Sequence, residues 1–137
     1  MSKKRRVAFI AVTGLFILGA LPGAVMNIAQ PAVLVEMSAT LGVPLAMMTL
    51  VGVWKVLGIA ALATPGVPRL KEWAYAGFFF DLTGAAYLHA AAGDYAGTPA
   101  SLVLAGVLVT SYLLRPERAK GEEQPLAPGL NAVASAP

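Results

Sequence analysis

Two charged residues, Lys55 and Asp81, interrupt otherwise apolar runs. A charge at the centre of a membrane-crossing helix costs about 2.5–3.5 kcal/mol on insertion scales, so it persists where it has a partner or a task. The pair could latch two helices, hold the polar head of a ligand, or relay protons or ions. His89, Glu36 and Trp54 are secondary candidates beside it. The chain has no cysteine and one histidine, which removes thiolate nucleophiles, Cys-based zinc and Fe–S clusters, and a bis-His haem within one chain. A lone imidazole with scattered carboxylates offers no metal site, and no catalytic set is expected.

Whatever these residues do, apolar helices must position them. Of 137 residues 58% are hydrophobic and 12% are charged, about half the charged share of a soluble domain. That excess of apolar surface must face lipid. A helix needs about 20 residues to span a bilayer. The spacing predicts an all-α membrane protein, a four-helix transmembrane bundle with spans at about 7–30, 45–64, 73–92 and 98–114. The first run is too long for a signal-peptide core of about 7–15 residues, and no clean cleavage site follows. Pro22 and Gly23 are expected to kink it. Residues 31–41 place Val33, Leu34, Met37 and Leu41 on one side and Glu36, Ala39 and Thr40 opposite. That reads as a short amphipathic helix lying at the membrane surface between the first two spans. Gly42 and Pro44 end it. Residues 1–6 form a basic N-terminus, 7–114 the membrane domain, and 115–137 a tail expected to be disordered.

Charge sets the orientation. Of ten Lys and Arg, four lie in the N-terminus, two in the 65–72 turn and three in the tail, while the other two loops carry only Glu36 and Asp94. With four spans those basic regions share one side, and the positive-inside rule gives cytoplasmic termini, N-in and C-in. The run Lys3-Lys4-Arg5-Arg6 is thus a topology signal, and nucleic acid is not an expected partner.

Lys55 lies nine residues from Thr64 and Asp81 eight residues from Trp73. At 1.5 Å per residue these are depths of about 13.5 and 12 Å from the same side, on antiparallel neighbours joined by a short turn. The two charges are therefore expected to meet. Gly58, Gly77 and Gly84 around them permit close helix approach or leave room for a flat head group. His89 is offset from Asp81 by about 80°. It either shares their cavity or pairs with Glu36 or Asp94 at the interface. Trp73, Tyr75, Tyr87 and Tyr95 read as interface anchors, and Trp54 as a deep residue packed inside the bundle.

The stretch Leu41–Asp94 combines LGVP, Lys55 followed within a turn by Leu57-Gly58, PGVPRLKEWAYAGFFFDLTGA, and His89 before Gly93-Asp94. This resembles the DoxX-like family of bacterial membrane proteins. The matching positions are Gly42, Pro44, Lys55, Gly58, Pro68, Lys71, Glu72, Trp73, Gly77, Asp81, Gly84 and His89. The resemblance implies a multi-pass protein of the bacterial inner membrane. Some relatives are subunits of quinone-linked oxidoreductases, and no catalytic residue can be carried over.

Three readings stand at this point. The first is a non-catalytic accessory or anchor subunit of a quinone-linked redox complex, with quinone as the one suitable cofactor and a partner subunit delivering electrons. The second is a structural or interaction protein, alone or as a homo-oligomer in the bilayer, whose Lys55–Asp81 pair only locks the bundle. The third is a small proton or solute transporter.

Overall fold

The computed structural model describes residues 2–116. Of the expected tail, all but Arg115 and Pro116 lies outside the described residues. Five α-helices and no strands occur among the residues described: α1 Lys3–Ala29, α2 Ala32–Leu41, α3 Leu45–Ala63, α4 Pro68–Ala91 and α5 Gly97–Leu114.

The helix ends follow from local chemistry. The Ser2 hydroxyl caps α1 by accepting from Arg5 N–H at 3.3 Å. α1 continues through Pro22, which leaves the Leu18 carbonyl without its usual helical donor. Gln30 stops α1 in the left-handed region, and its side-chain amide donates to Leu45 O and Thr49 Oγ1, tying that end to α3. Gly42, at φ 67°, turns the chain out of α2. α4 starts earlier than the sequence suggests, at Pro68 rather than Trp73. Proline at a first helical position has a pre-set φ and no donor to waste. Arg69, Lys71 and Glu72 therefore ride on the first turns of α4, not in a loop.

α1, α3, α4 and α5 form a ring in which α1 packs against α3 and α5, and α4 against α3 and α5; α2 leans lightly on α3. The core between them is small: Phe16 and Ala20 from α1, Leu62 from α3, Tyr75, Phe78 and Leu82 from α4, and Ala105 and Leu108 from α5. Phe16 and Phe78 meet edge-to-face across the ring with centroids 5.0 Å apart. Two glycines on α3 allow close approach to its neighbours. Cβ atoms on Gly52 and Gly58 would stand 2.8 Å from Asn27 Cβ and 2.6 Å from the Phe78 ring. By contrast Gly77 and Gly84 have nothing within 4 Å of such a position, so close packing does not explain them.

Large apolar side chains point outward along every helix, including Leu18, Leu57, Trp73 and Phe80. In water this surface would be unsustainable. In lipid it is the expected exterior, because hydrocarbon chains are as apolar as leucine. α1, α3 and α5 are long and apolar enough to cross a membrane. α4 has 24 residues, but Asp81, His89, Tyr75 and Tyr87 dilute its apolar content.

Three expectations are corrected. Trp54 is not packed inside the bundle: it is 68% exposed on the outside of α3. Lys55 is the neighbour that turns inward, and at about 100° per residue Trp54 is carried to the lipid side. Tyr75 is not an interface anchor but is 4% exposed in the core; Trp73, Tyr87 and Tyr95 do lie on the outside. On α2, Val33 is exposed and the inward residues are Leu34 and Ser38. The Ser38 hydroxyl donates to the Val43 carbonyl, which lets a polar side chain take the buried position.

Candidate functional site

α3 and α4 run antiparallel, and Lys55 and Asp81 face each other between them. Lys55 Nζ lies 3.3 Å from Asp81 Oδ2, and the side chains keep 18% and 21% exposure respectively. The ammonium also reaches toward α1, where a Cβ on Gly23 would be 3.9 Å from Nζ. The contact is an ion pair without hydrogen-bond alignment, and Asp81 Oδ2 is buried with no aligned donor among the described residues. Its remaining exposure therefore belongs to the rest of the side chain.

The pair floors a groove of about 520 Å³ between α3 and α4. Trp54, Leu57, Leu70, Trp73 and Phe80 are among its walls, and Gly58 and Gly77 lie along it. Lys55 and Asp81 are the charged groups in a lining that is otherwise apolar or aromatic. Such a groove accepts a flat apolar molecule with one polar end. Gly77 presents no side chain to fill the groove, and Trp54 and Trp73 wall it from α3 and α4. Trp54 thus borders the site from the lipid side, a role its presumed burial would have hidden.

The other candidates sit elsewhere. His89 is turned away from the groove, with Nδ1 2.7 Å from Asp94 Oδ2. Asp94 Oδ1 accepts from Ala96 N–H and Gly97 N–H, both at 3.1 Å, and so holds the start of α5. The Gly97 and His89 hydrogen bonds, with a smaller one from Ala96, hold the Asp94 carboxyl below the usual carboxylate range. Glu36 is exposed on α2 and has no ion-pair partner among the described residues. The structure therefore brings Lys55, Asp81 and Trp54 to one groove and leaves His89 and Glu36 outside it.

A second polar cluster was not legible beforehand. Thr13, Ser111 and Tyr75 join three helices through hydroxyl contacts of 2.6 Å (Thr13–Ser111) and 2.8 Å (Tyr75–Ser111). Beside them Arg115 is 4% exposed, stacks on Tyr112 at 4.4 Å and Tyr75 at 5.3 Å, and pairs with Glu72. The available signal was spacing: Lys71, Tyr75, Phe78 and Leu82 recur on one face of α4, and all four are buried.

No curated protein and no solved structure matches the chain. Residues 11–111 do match the family model of the DoxX-like family, a span that runs from within α1 to within α5 and includes both members of the Lys55–Asp81 pair. With that match covering most of its length, this helical membrane protein belongs to the DoxX-like family.

Proposed function

We propose that the protein is a four-span accessory or anchor subunit of a membrane redox complex, not a catalyst on its own, and that its α3–α4 groove holds the head of a quinone. α4 is the fourth span, its Asp81 charge balanced by Lys55 of α3, and both termini face the cytoplasm of a bacterial cell. The observation that carries this reading is an ion pair flooring an apolar, aromatic-walled groove. A quinone dissolves in the bilayer and needs little more than hydrogen-bonding groups at the end of an apolar slot. Lys55 can donate to one of its oxygens, and the exposed part of Asp81 can accept from its hydroxyl form. With no cysteine and one histidine, electrons must come from a partner.

One observation favours the second reading, a latch. Lys55 Nζ also points toward α1, where a Cβ on Gly23 would stand 3.9 Å away, so the pair sits close to three helices. Mass spectrometry of protein extracted in mild detergent separates the two. A quinone site gives bound quinone in the wild type and none in Lys55→Met, Asp81→Leu or the double variant, even where the double variant is stable. A latch gives no quinone in any of them. Flux in proteoliposomes that disappears in Asp81→Leu would overturn both readings in favour of a transporter. Reporter fusions at the two termini that place them on opposite sides would overturn the four-span orientation.

A further inference from the structure

We propose that the end of the bundle opposite His89 carries a binding site for an anionic phospholipid, with its phosphate on Arg115 and an acyl chain in the furrow between α4 and α5. This site is separate from the α3–α4 groove and rests only on α4 and α5 both crossing the membrane.

The furrow has a volume of about 240 Å³. Ala76, Phe79, Leu108 and Val109 line its apolar length, and Glu72, Tyr75 and Tyr112 form its mouth. Those last three residues are also the ones around the Arg115 guanidinium: Tyr75 and Tyr112 stack on it and Glu72 pairs with it. Arg115 is 4% exposed, yet its Nε has no hydrogen-bond partner among the described residues. A buried donor left unmatched is a defect that a native protein normally repairs with a partner.

Charge balance says what that partner is. Lys71, one turn before Tyr75 on α4, is 7% exposed and has no ion-pair partner among the described residues. Arg5 donates to the Leu113 carbonyl at 3.1 Å, which puts a third cation at the same end. Lys3, Lys4, Arg6 and Arg69 lie there too, and Glu72 is the only acid on that end among the described residues. Among the described residues, two buried cations stand against one half-exposed carboxylate, an imbalance that a second anion would offset. A guanidinium offers a planar set of donors matched to phosphate oxygens. Basic pockets between spans are recognised sites for anionic head groups. A soluble phosphate would make no use of the furrow, whose lining joins the three residues that surround the guanidinium to an apolar stretch of α4 and α5. Glu72, with its side chain 48% exposed, holds the guanidinium until the phosphate displaces it.

The test is native mass spectrometry of the full chain, extracted in mild detergent and offered equal phosphatidylglycerol and phosphatidylcholine. The wild type retains phosphatidylglycerol preferentially. Arg115→Gln lowers the retained ratio about fivefold, the loss expected for one basic residue near a membrane surface. Arg115→Lys falls between the two, because it keeps the charge but loses the planar donors. Glu72→Gln raises the ratio, because the competing carboxylate is gone; it carries the test if Arg115→Gln fails to fold. Replacing Lys3, Lys4 and Arg6 together by Gln leaves the tightly held lipid in place. The proposal is overturned if Arg115→Gln and Glu72→Gln both keep the wild-type ratio. It is also overturned if excess glycerol 3-phosphate displaces the lipid, or if only the N-terminal replacement abolishes retention.

Discussion

The edge of the Phe78 ring occupies the space that a side chain on Gly58 would need, with a Cβ there only 2.6 Å from the ring. Three residues back along α3 and three on along α4 stand Lys55 and Asp81, as antiparallel register requires. The Gly58–Phe78 contact therefore sets the distance across which the ion pair forms. Phe78 cannot yield easily, since Phe16 packs against its far side. Gly58→Ala should destabilise the protein by about 1–3 kcal/mol, the usual cost of overpacking. Gly84→Ala, with open space around it, should instead stabilise by about 0.5–1 kcal/mol through helix propensity. Unfolding in detergent checks both, and equal effects at the two sites would refute the assignment.

Lys55→Met and Asp81→Leu should each lower stability by about 2.5–3.5 kcal/mol, because each leaves one charge unpaired within the membrane. The double variant should recover most of that loss, since the coupling term of the cycle then has the sign of an ion pair. Additive losses in the same unfolding assay would mean that the two residues act independently.

Ser111 contacts both Thr13 and Tyr75. Ser111→Ala should therefore cost more than Tyr75→Phe, which removes one hydroxyl contact among the described residues and keeps the ring. Interhelical hydrogen bonds in membranes average about 0.6 kcal/mol, so the expected losses are roughly 1.2 and 0.6 kcal/mol. A larger loss from Tyr75→Phe would show that the phenol, not Ser111, is the hub of this cluster.

Asp94 is held below its ordinary value of 3.8 by Gly97 first and His89 second. A depressed carboxylate contributes stability that is complete above the unfolded value and disappears as pH falls through the folded one. The wild type should therefore exceed Asp94→Asn in unfolding temperature at about pH 5. The gap should close as pH falls well below 3.8. A gap that stays constant over that window would remove Asp94 as its cause.

The helices themselves were legible in the sequence, because apolar runs of this length have few other outcomes. The approach of Lys55 and Asp81 was legible too, from depth along two antiparallel neighbours. The direction of Trp54 was not, nor the inward turn of Tyr75 and Lys71. A helix that is apolar nearly all round carries little periodic signal about which face meets a neighbour. In lipid that ambiguity is worse, since both faces are surrounded by apolar material.

The sequence by itself determined the number of helices among residues 2–116, though not the early start of α4, together with the segregation of basic residues to one end and the presence of two charges that needed each other. Each depends on composition along the chain, which folding does not alter. Only the tertiary structure decided that Gly77 would leave a groove while Gly58 closed a contact. Only it enclosed Arg115 between two tyrosines and sent His89 to Asp94 instead of the central pair. Those outcomes depend on the rotation of each helix about its own axis. Packing of side chains such as Phe78 against Gly58 fixes that rotation, and no segment contains it alone.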